Sequence, residues 1–438
     1  MAQDNVVSRL IGNDRLGKKD SVANWTLHAQ VTTIYQYHPA FHADYSGINS
    51  MNSNAEGALS LTTTIFLGRK LWKGAAIYVN PEMSGGAGLS HTEGMAGFPN
   101  GEIYRVGNPS PTPFIARGYL QQVIALDHSY EVQESDKNQL GGKTPSSKFV
   151  ITLGKFGISD FFDNNTYSHD ARSQFMNWSL MAGAAWDFPA DTRGYTYGLV
   201  LELSKPQWAI RAATVLEPVL ANGIKMDVNY NKANSETLEG ERRWKVKGHT
   251  GVIRATGFLS LTKAPKYADA TAALLNGDST LSNVISGKAE GNYGGIKYGF
   301  GVNAEQELMD YLGVFARISW NDGHTATWAF TEIDNTAQLG LSMQGKLWKR
   351  PTDTWGTAIV TNGISKDHQD YLRAGGHGFI IGDGNLNYAR ENILETYYRA
   401  QIASFCAITV DYQFAINPAY NKDRGPIHII GLRVHFDI

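Results

Sequence analysis

The chain has 438 residues, of which 18% are charged, and a formal net charge of −2, so neither nucleic acid nor an anionic membrane surface is favoured as a partner. A single cysteine, Cys406, excludes an internal disulfide and a thiolate metal cluster. No run of about 18 apolar residues occurs, which excludes a transmembrane helix, while a mean hydropathy of −0.29 is compatible with a membrane barrel, where half of each strand is polar.

No Pro- or Ser-rich linker and no shift in composition divides the chain. The expected organisation is a short polar periplasmic arm over residues 1–20 and one barrel over residues 21–438. The start, Met1-Ala2-Gln3-Asp4, lacks a hydrophobic signal core and reads as a mature N-terminus with an added Met, the export signal having been removed; a cytosolic start fits these residues equally well. From Trp25 onward, about ten residues of alternation are followed each time by a turn or a polar loop. Strands are predicted at 25–37, 58–68 and 75–81, followed by a Gly- and Pro-rich functional loop over 85–113. Further strands are predicted at 114–127, 148–158, 177–187, 195–204 and 208–215, with weaker ones at 224–230 and 242–247. After a strand at 252–263, residues 267–276 read as a short helix within a loop. The remaining strands fall at 295–305, 311–321, 327–333, 337–347, 354–362, 392–415 and the closing stretch 427–438. The total is about sixteen, an even number, as termini on one side of a membrane require.

The closing stretch alternates Ile430, Leu432, Val434, Phe436 and Ile438 with Gly431, Arg433, His435 and Asp437, giving one dry face and one wet face. Arginine keeps to the wet face. Arg117 is placed with Ile115, Tyr119 and Gln121, against Phe114, Ala116, Leu120 and Ile124; Arg211, Arg254, Arg317, Arg399 and Arg433 also oppose apolar neighbours. Glu202 and Glu395 share that polar side. Arginine facing lipid at the midplane costs roughly 2–4 kcal/mol, and an unpaired charge in a dry core costs more. The expectation is therefore an all-β, antiparallel transmembrane barrel with a wide, wet interior, short periplasmic turns and longer extracellular loops folded inward. The alternative is the solvated face of a soluble sheet, but no helices are predicted to cover the apolar faces. In this register Leu432→Arg should impair insertion, whereas Arg433→Leu should be tolerated.

The C-terminal third carries Glu395-Thr396-Tyr397-Tyr398, Ile408-Thr409-Val410-Asp411-Tyr412-Gln413-Phe414, Asn417-Pro418 and Gly431-Leu432-Arg433 before a terminal aromatic. Together with Ala116-Arg117-Gly118-Tyr119-Leu120-Gln121-Gln122, Leu153-Gly154-Lys155-Phe156, Asp160-Phe161-Phe162, Leu341-Ser342-Met343-Gln344-Gly345 and Asp353-Thr354-Trp355-Gly356, this order resembles the carbohydrate-selective porins of the OprB type. The chain departs from the family in ending on Ile438, with Phe436 two residues earlier. The resemblance implies a sixteen-stranded outer-membrane barrel of a Gram-negative bacterium. It also implies facilitated diffusion of mono- and oligosaccharides, contact with outer-membrane lipid and lipopolysaccharide, and a monomer or homotrimer. It places Arg117 at the sugar path, since a guanidinium fork donates to vicinal hydroxyls. Glu202, Arg254 and Glu395 are further wall candidates for sugar binding. Phe98, Tyr104 and Trp178 could form a stacking track, although an interfacial girdle suits most such aromatics better. No cofactor is expected. His38 and His42, with Pro39 between them, and the acidic turn Asp160, Asp163, Asn164, Asn165 lack metal-loop spacing, so no metal is expected. The alternatives are a general or anion-preferring porin and, less favoured, an outer-membrane barrel enzyme, for which no nucleophile-elbow motif is present.

Overall fold

The computed structural model describes residues 24–103 and 110–438; the predicted arm and Tyr104 lie outside the described residues. Sixteen antiparallel strands close into a barrel. They are β1 (Trp25–His38), β2 (Glu56–Trp72), β3 (Ala75–Gly86), β4 (Thr112–Ala125), β7 (Lys148–Phe156), β8 (Thr196–Lys205), β9 (Trp208–Leu216), β10 (Asn234–Val246), β11 (His249–Thr262), β12 (Gly295–Met309), β13 (Leu312–Asn321), β14 (Asn335–Gly345), β15 (Arg350–Gly363), β16 (Glu391–Ala403), β17 (Cys406–Ile416) and β18 (Ile427–Asp437). β5 (Tyr130–Gln133) and β6 (Gly142–Pro145) form a separate hairpin. Closure comes from β1 on β18, with Val31 opposite Phe436 and Tyr35 opposite Leu432. A closed barrel leaves no open sheet edge, which hydrocarbon does not tolerate.

Side chains follow the period of two. On β18, Ile430, Leu432 and Phe436 are exposed on the outside while Arg433 and His435 are buried within. Leu432→Arg is accordingly expected to weaken insertion by roughly 2–4 kcal/mol, read as loss of the heat-modifiable band on a denaturing gel; an unchanged band would overturn the lipid-facing register. Outward aromatics gather toward the two rims: Trp25, Trp72 and Trp244 near the short turns, and Tyr35, Tyr37, Tyr298 and Trp320 near the long loops. Phe98 and Trp178 do not join these girdles. Their rings stack at 5.2 Å inside the barrel, within the buried loop core.

Several expectations are corrected. Residues 177–187, 224–230 and 327–333 form no barrel strands. In 177–187 and 327–333 the apolar positions belong to side chains such as Trp178, Trp186, Trp328 and Ile333, which pack into the core of the long loops, whereas Ile224, Val228 and Tyr230 are exposed on a loop. Residues 392–415 make two strands, β16 and β17, with Ser404 and Phe405 at the turn. β10 starts at Asn234 rather than at 242, because its inward row carries Thr237, Glu239 and Glu241 and so looks like a loop in sequence. The expected loop helix is present as Tyr267–Leu275.

The faces drawn for β4 also change. Asn80 pairs with Arg117 and Pro81 with Ile115, which leaves Ala116 as a bulge. Proline has no N–H to give the ladder, so the pairing slips at that point. Below the bulge Arg117, Tyr119 and Gln121 share the inner face as expected. Above it the alternation reverses: Ile115 is 48% exposed on the outside and Ala116 is fully buried. Phe114 turns inward to meet the Tyr195 ring at 6.1 Å.

Candidate channel constriction

The connections at one end of the barrel are mostly tight turns, at 73–74, 206–207, 247–248, 310–311, 346–349 and 404–405. At the other end the loops are long, and the segment 157–195 between β7 and β8 folds back into the lumen. It contains a 3-10 turn at Ile158–Asp160 and one short α-helix, Trp178–Met181. A backbone that is neither helix nor strand leaves its N–H and C=O groups to be satisfied from outside, and here the barrel wall supplies many of the partners. Arg317 on β13 donates to Ser168 O at 2.5 Å and Leu180 O at 3.2 Å, and lies 3.3 Å from the Asp163 carboxylate. Arg433 on β18 donates to Ala171 O at 2.6 Å and Gln174 O at 2.8 Å. Glu395 on β16 accepts from Met176 N at 2.5 Å and Asn177 N at 2.9 Å. Glu239 on β10 accepts from Asp163 N at 2.7 Å. Arg433, whose replacement by leucine the inward register by itself allows, is fully buried and holds two loop carbonyls, so the substitution acts on the loop rather than on the barrel.

The rim that this loop makes with β2, β3 and β4 carries two charge clusters. Arg117 grips Asp160 with both arms of its fork, Nε at 2.6 Å and Nη2 at 2.5 Å. Arg172, in the loop, reaches Glu102 at 2.5 Å, Glu82 at 3.1 Å and Thr64 Oγ1 at 3.0 Å. Tyr195 donates its hydroxyl to Glu82 at 3.0 Å, and the Arg117 guanidinium lies 5.2 Å over the Tyr195 ring. Burial pushes the Glu102 carboxyl up even with Arg172 beside it. Burial also acts to raise Asp170, but the Arg172 charge and backbone N–H overcome it and hold that carboxyl at about 2.

Two of the four sequence candidates meet in one chain of charges. Glu202 accepts from Arg211 at 2.6 Å; Arg211 also reaches Glu239 at 2.8 Å and Glu241 at 3.0 Å. Glu241 then pairs with Arg254 at 2.8 Å, and Arg254 with Glu305 at 3.3 Å. Arg117 stands apart at the rim, and Glu395 is fully buried beneath the loop. Toward the short turns a cavity of about 490 Å³ opens, lined among others by Thr166, Glu305, Ser342, Tyr397 and Arg399. Glu82, Glu102 and Arg172 escaped the sequence reading. Glu82 follows Pro81, where the strand pattern stops, while Glu102 and Arg172 lie in loops without periodicity. The acidic turn weighed for calcium is engaged elsewhere, Asp160 by Arg117 and Asp163 by Arg317 and Asn303. Among the described residues, His249, Glu307 and Asp310 near the short turns could present three donor atoms to a cation, His249 Nδ1 lying 3.6 and 3.7 Å from the two carboxylates.

Sixteen strands closed on themselves, a polar interior and a loop folded across it define an outer-membrane channel of the porin class. A profile of the carbohydrate-selective porin, OprB family matches residues 57–438, and the chain belongs to that family. The high-pH structure of Pseudomonas putida OprB is similar over 95% of this chain and 94% of that one, with a TM-score of 0.70 at 15% identity, which shows a shared fold. The low-pH structure of the same protein gives a TM-score of 0.49 at 12% identity over 95% and 93% of the two chains. The outer membrane channel DcaP of Acinetobacter baumannii gives 0.47 at 9% identity over 96% and 99%. Among curated proteins no match is found.

Proposed function

We propose that the protein carries sugars across the outer membrane by facilitated diffusion, without an energy source, and that Arg117 marks the sugar path. The observation that carries this reading is the mixed chemistry of the rim. Sugar hydroxyls both donate and accept, and the rim presents the partly exposed Arg117–Asp160 pair and the Phe114 ring, backed by the more deeply buried Arg172, Glu82, Glu102 and Tyr195. Membership of a carbohydrate-selective family supports the same reading. Glu202 and Arg254 are parts of one neutralising ladder on the wall, Glu202 the more exposed of the two, and Glu395 acts through the loop it holds. Pairing of Arg211 and Arg254 with carboxylates also argues against a strongly anion-preferring porin.

Proteoliposomes should swell in neutral monosaccharides, and more slowly as the solute grows. Exclusion of every sugar, with ions still conducted, would leave the general-porin alternative. A charged hydrogen bond in a wet passage is worth about 1 kcal/mol here, less than when desolvated, so Arg117→Ala should weaken sugar block of the ion current about fivefold. Arg117→Lys should restore the ion selectivity but not the block, since an ammonium lacks the fork. Sugar block unchanged in Arg117→Ala would place this residue off the path.

A further inference from the structure

One connection at the short-turn end breaks the pattern of tight turns: residues 126–147, between β4 and β7, which contain the β5–β6 hairpin. Porins keep their turns short at the periplasmic end, so a long segment there is an added element. The hairpin stem continues the β4–β7 ladder, with Leu126 N donating to Ser147 O at 2.9 Å and Ser146 N to Ser129 O at 2.9 Å. Its tip then turns back onto the inner wall. Asn138 takes a left-handed conformation at φ 55°, which asparagine tolerates, and makes the turn.

The tip binds inward-facing groups. Ser135 Oγ lies 2.7 Å from Thr26 Oγ1 and 3.2 Å from His28 Nε2, both on β1. Asn138 and Asn80 of β3 clasp each other through both amides, at 2.8 and 3.1 Å. Lys137 Nζ reaches the Asp437 carboxylate on β18 at 2.7 Å. Leu140 packs against the buried core that includes Tyr78 and Tyr119. The tip is thus laid over the arc β18–β1–β2–β3. Asn80 is the cross-strand partner of Arg117, so the hairpin closes this arc directly beneath the Arg117–Asp160 rim. Open space at this end lies along β12 to β17, in the cavity past Glu305, Tyr397 and Arg399 and in an adjoining one of about 430 Å³ bordered by Gln344, Arg399 and Gln401 and reaching Asp437 at the edge of the covered arc.

We propose that the 126–147 hairpin is a second constriction, at the periplasmic exit, whose tip from Ser135 to Asn138 limits the width of solute that leaves the channel. As far as sugars are concerned the inference rests on the function proposed above, and ion conductance tests the constriction separately from it. In one variant, Asn-Gly replaces 127–146, joining Leu126 to Ser147 by a tight turn. Single-channel conductance in potassium chloride should rise about twofold or more, and the ratio of disaccharide to monosaccharide swelling about threefold. Conductance and ratio both unchanged, in a barrel that still shows heat-modifiable migration, would overturn the proposal. A rise in conductance with no sugar passing in either protein would uphold the constriction and sink the sugar reading. A gentler variant, Asn138→Cys with Cys406→Ser, covers failure of the deletion to fold. Labelling by a thiol reagent with a bulky neutral group should lower the conductance of the assembled barrel. A thiol that cannot be labelled from water, or a labelled channel that conducts as before, would place the tip outside the passage.

Discussion

Arg433→Leu should widen the channel while leaving the barrel intact. The substitution removes the donors to Ala171 O and Gln174 O and the contact with Thr409 Oγ1 at 3.0 Å, all in a fully buried setting. Leaving buried acceptors unpaired costs about 1–3 kcal/mol each, and a leucine of smaller reach cannot replace the guanidinium. The loop segment 157–195 would then be held in this region mainly by the Glu395 carboxylate and by Arg317. A larger and noisier single-channel conductance is expected, several-fold above wild type in the double variant Arg433→Leu, Arg317→Leu, because two buried cationic clamps are then lost, each worth on the order of 3 kcal/mol. Ladder hydrogen bonds are untouched, so heat-modifiable migration should persist. Wild-type current traces from Arg433→Leu would show that the loop is seated without this residue.

The second large effect is expected from Arg172→Ala. Arg172 holds Glu82 and Glu102 together, and both are buried. Without it the rim loses one positive charge and keeps two neighbouring carboxylates that cannot both ionise freely. Glu102, whose carboxyl burial already pushes up, loses the charge that opposes this shift, so it should take up a proton more readily and release it as the pH rises. Cation preference, read as the reversal potential across a potassium chloride gradient, should therefore exceed that of wild type and grow with pH. In wild type the guanidinium keeps its charge throughout, so the same titration should be flatter. A selectivity equal to wild type at every pH would remove Arg172 from the conducting rim.

These variants concern residues that sequence periodicity reaches unevenly. A strand with an apolar outer row announces itself, and β18 could be drawn residue by residue, Arg433 facing inward and Leu432 outward. What the period cannot supply is the partner. The alternation that places Arg433 inside says nothing of Ala171 and Gln174, and so nothing of the loop that its replacement would release. β10 was cut short because Glu239 and Glu241 face cations on neighbouring strands, a pairing invisible within one segment. Residues 177–187 mimicked a strand because a loop packed inside a barrel needs apolar side chains of its own. Pro81 did mark a break, but the residue displaced by it, Ala116, lies on the adjacent strand, where nothing local signals the slip. Arg117 is legible through a family motif, whereas its partner Asp160 looks in sequence like part of an acidic turn. Arg172 meets Glu102 and Glu82 across 70 and 90 residues of chain, a separation that only the folded loop bridges.

The way the inward loop is hung also sets an order on biogenesis. Its supports come from Arg117 before it in the chain and from Glu239, Arg317, Glu395 and Arg433 after it, the last on the strand that closes the barrel against β1. Until that seam forms, Ala171 and Gln174 have only water for their carbonyls, and the seat for the loop is incomplete. Contacts so distant in sequence form late. Seating of the 171–174 stretch is thus tied to closure of the barrel itself, and a seam that fails to form leaves that part of the loop without its clamp.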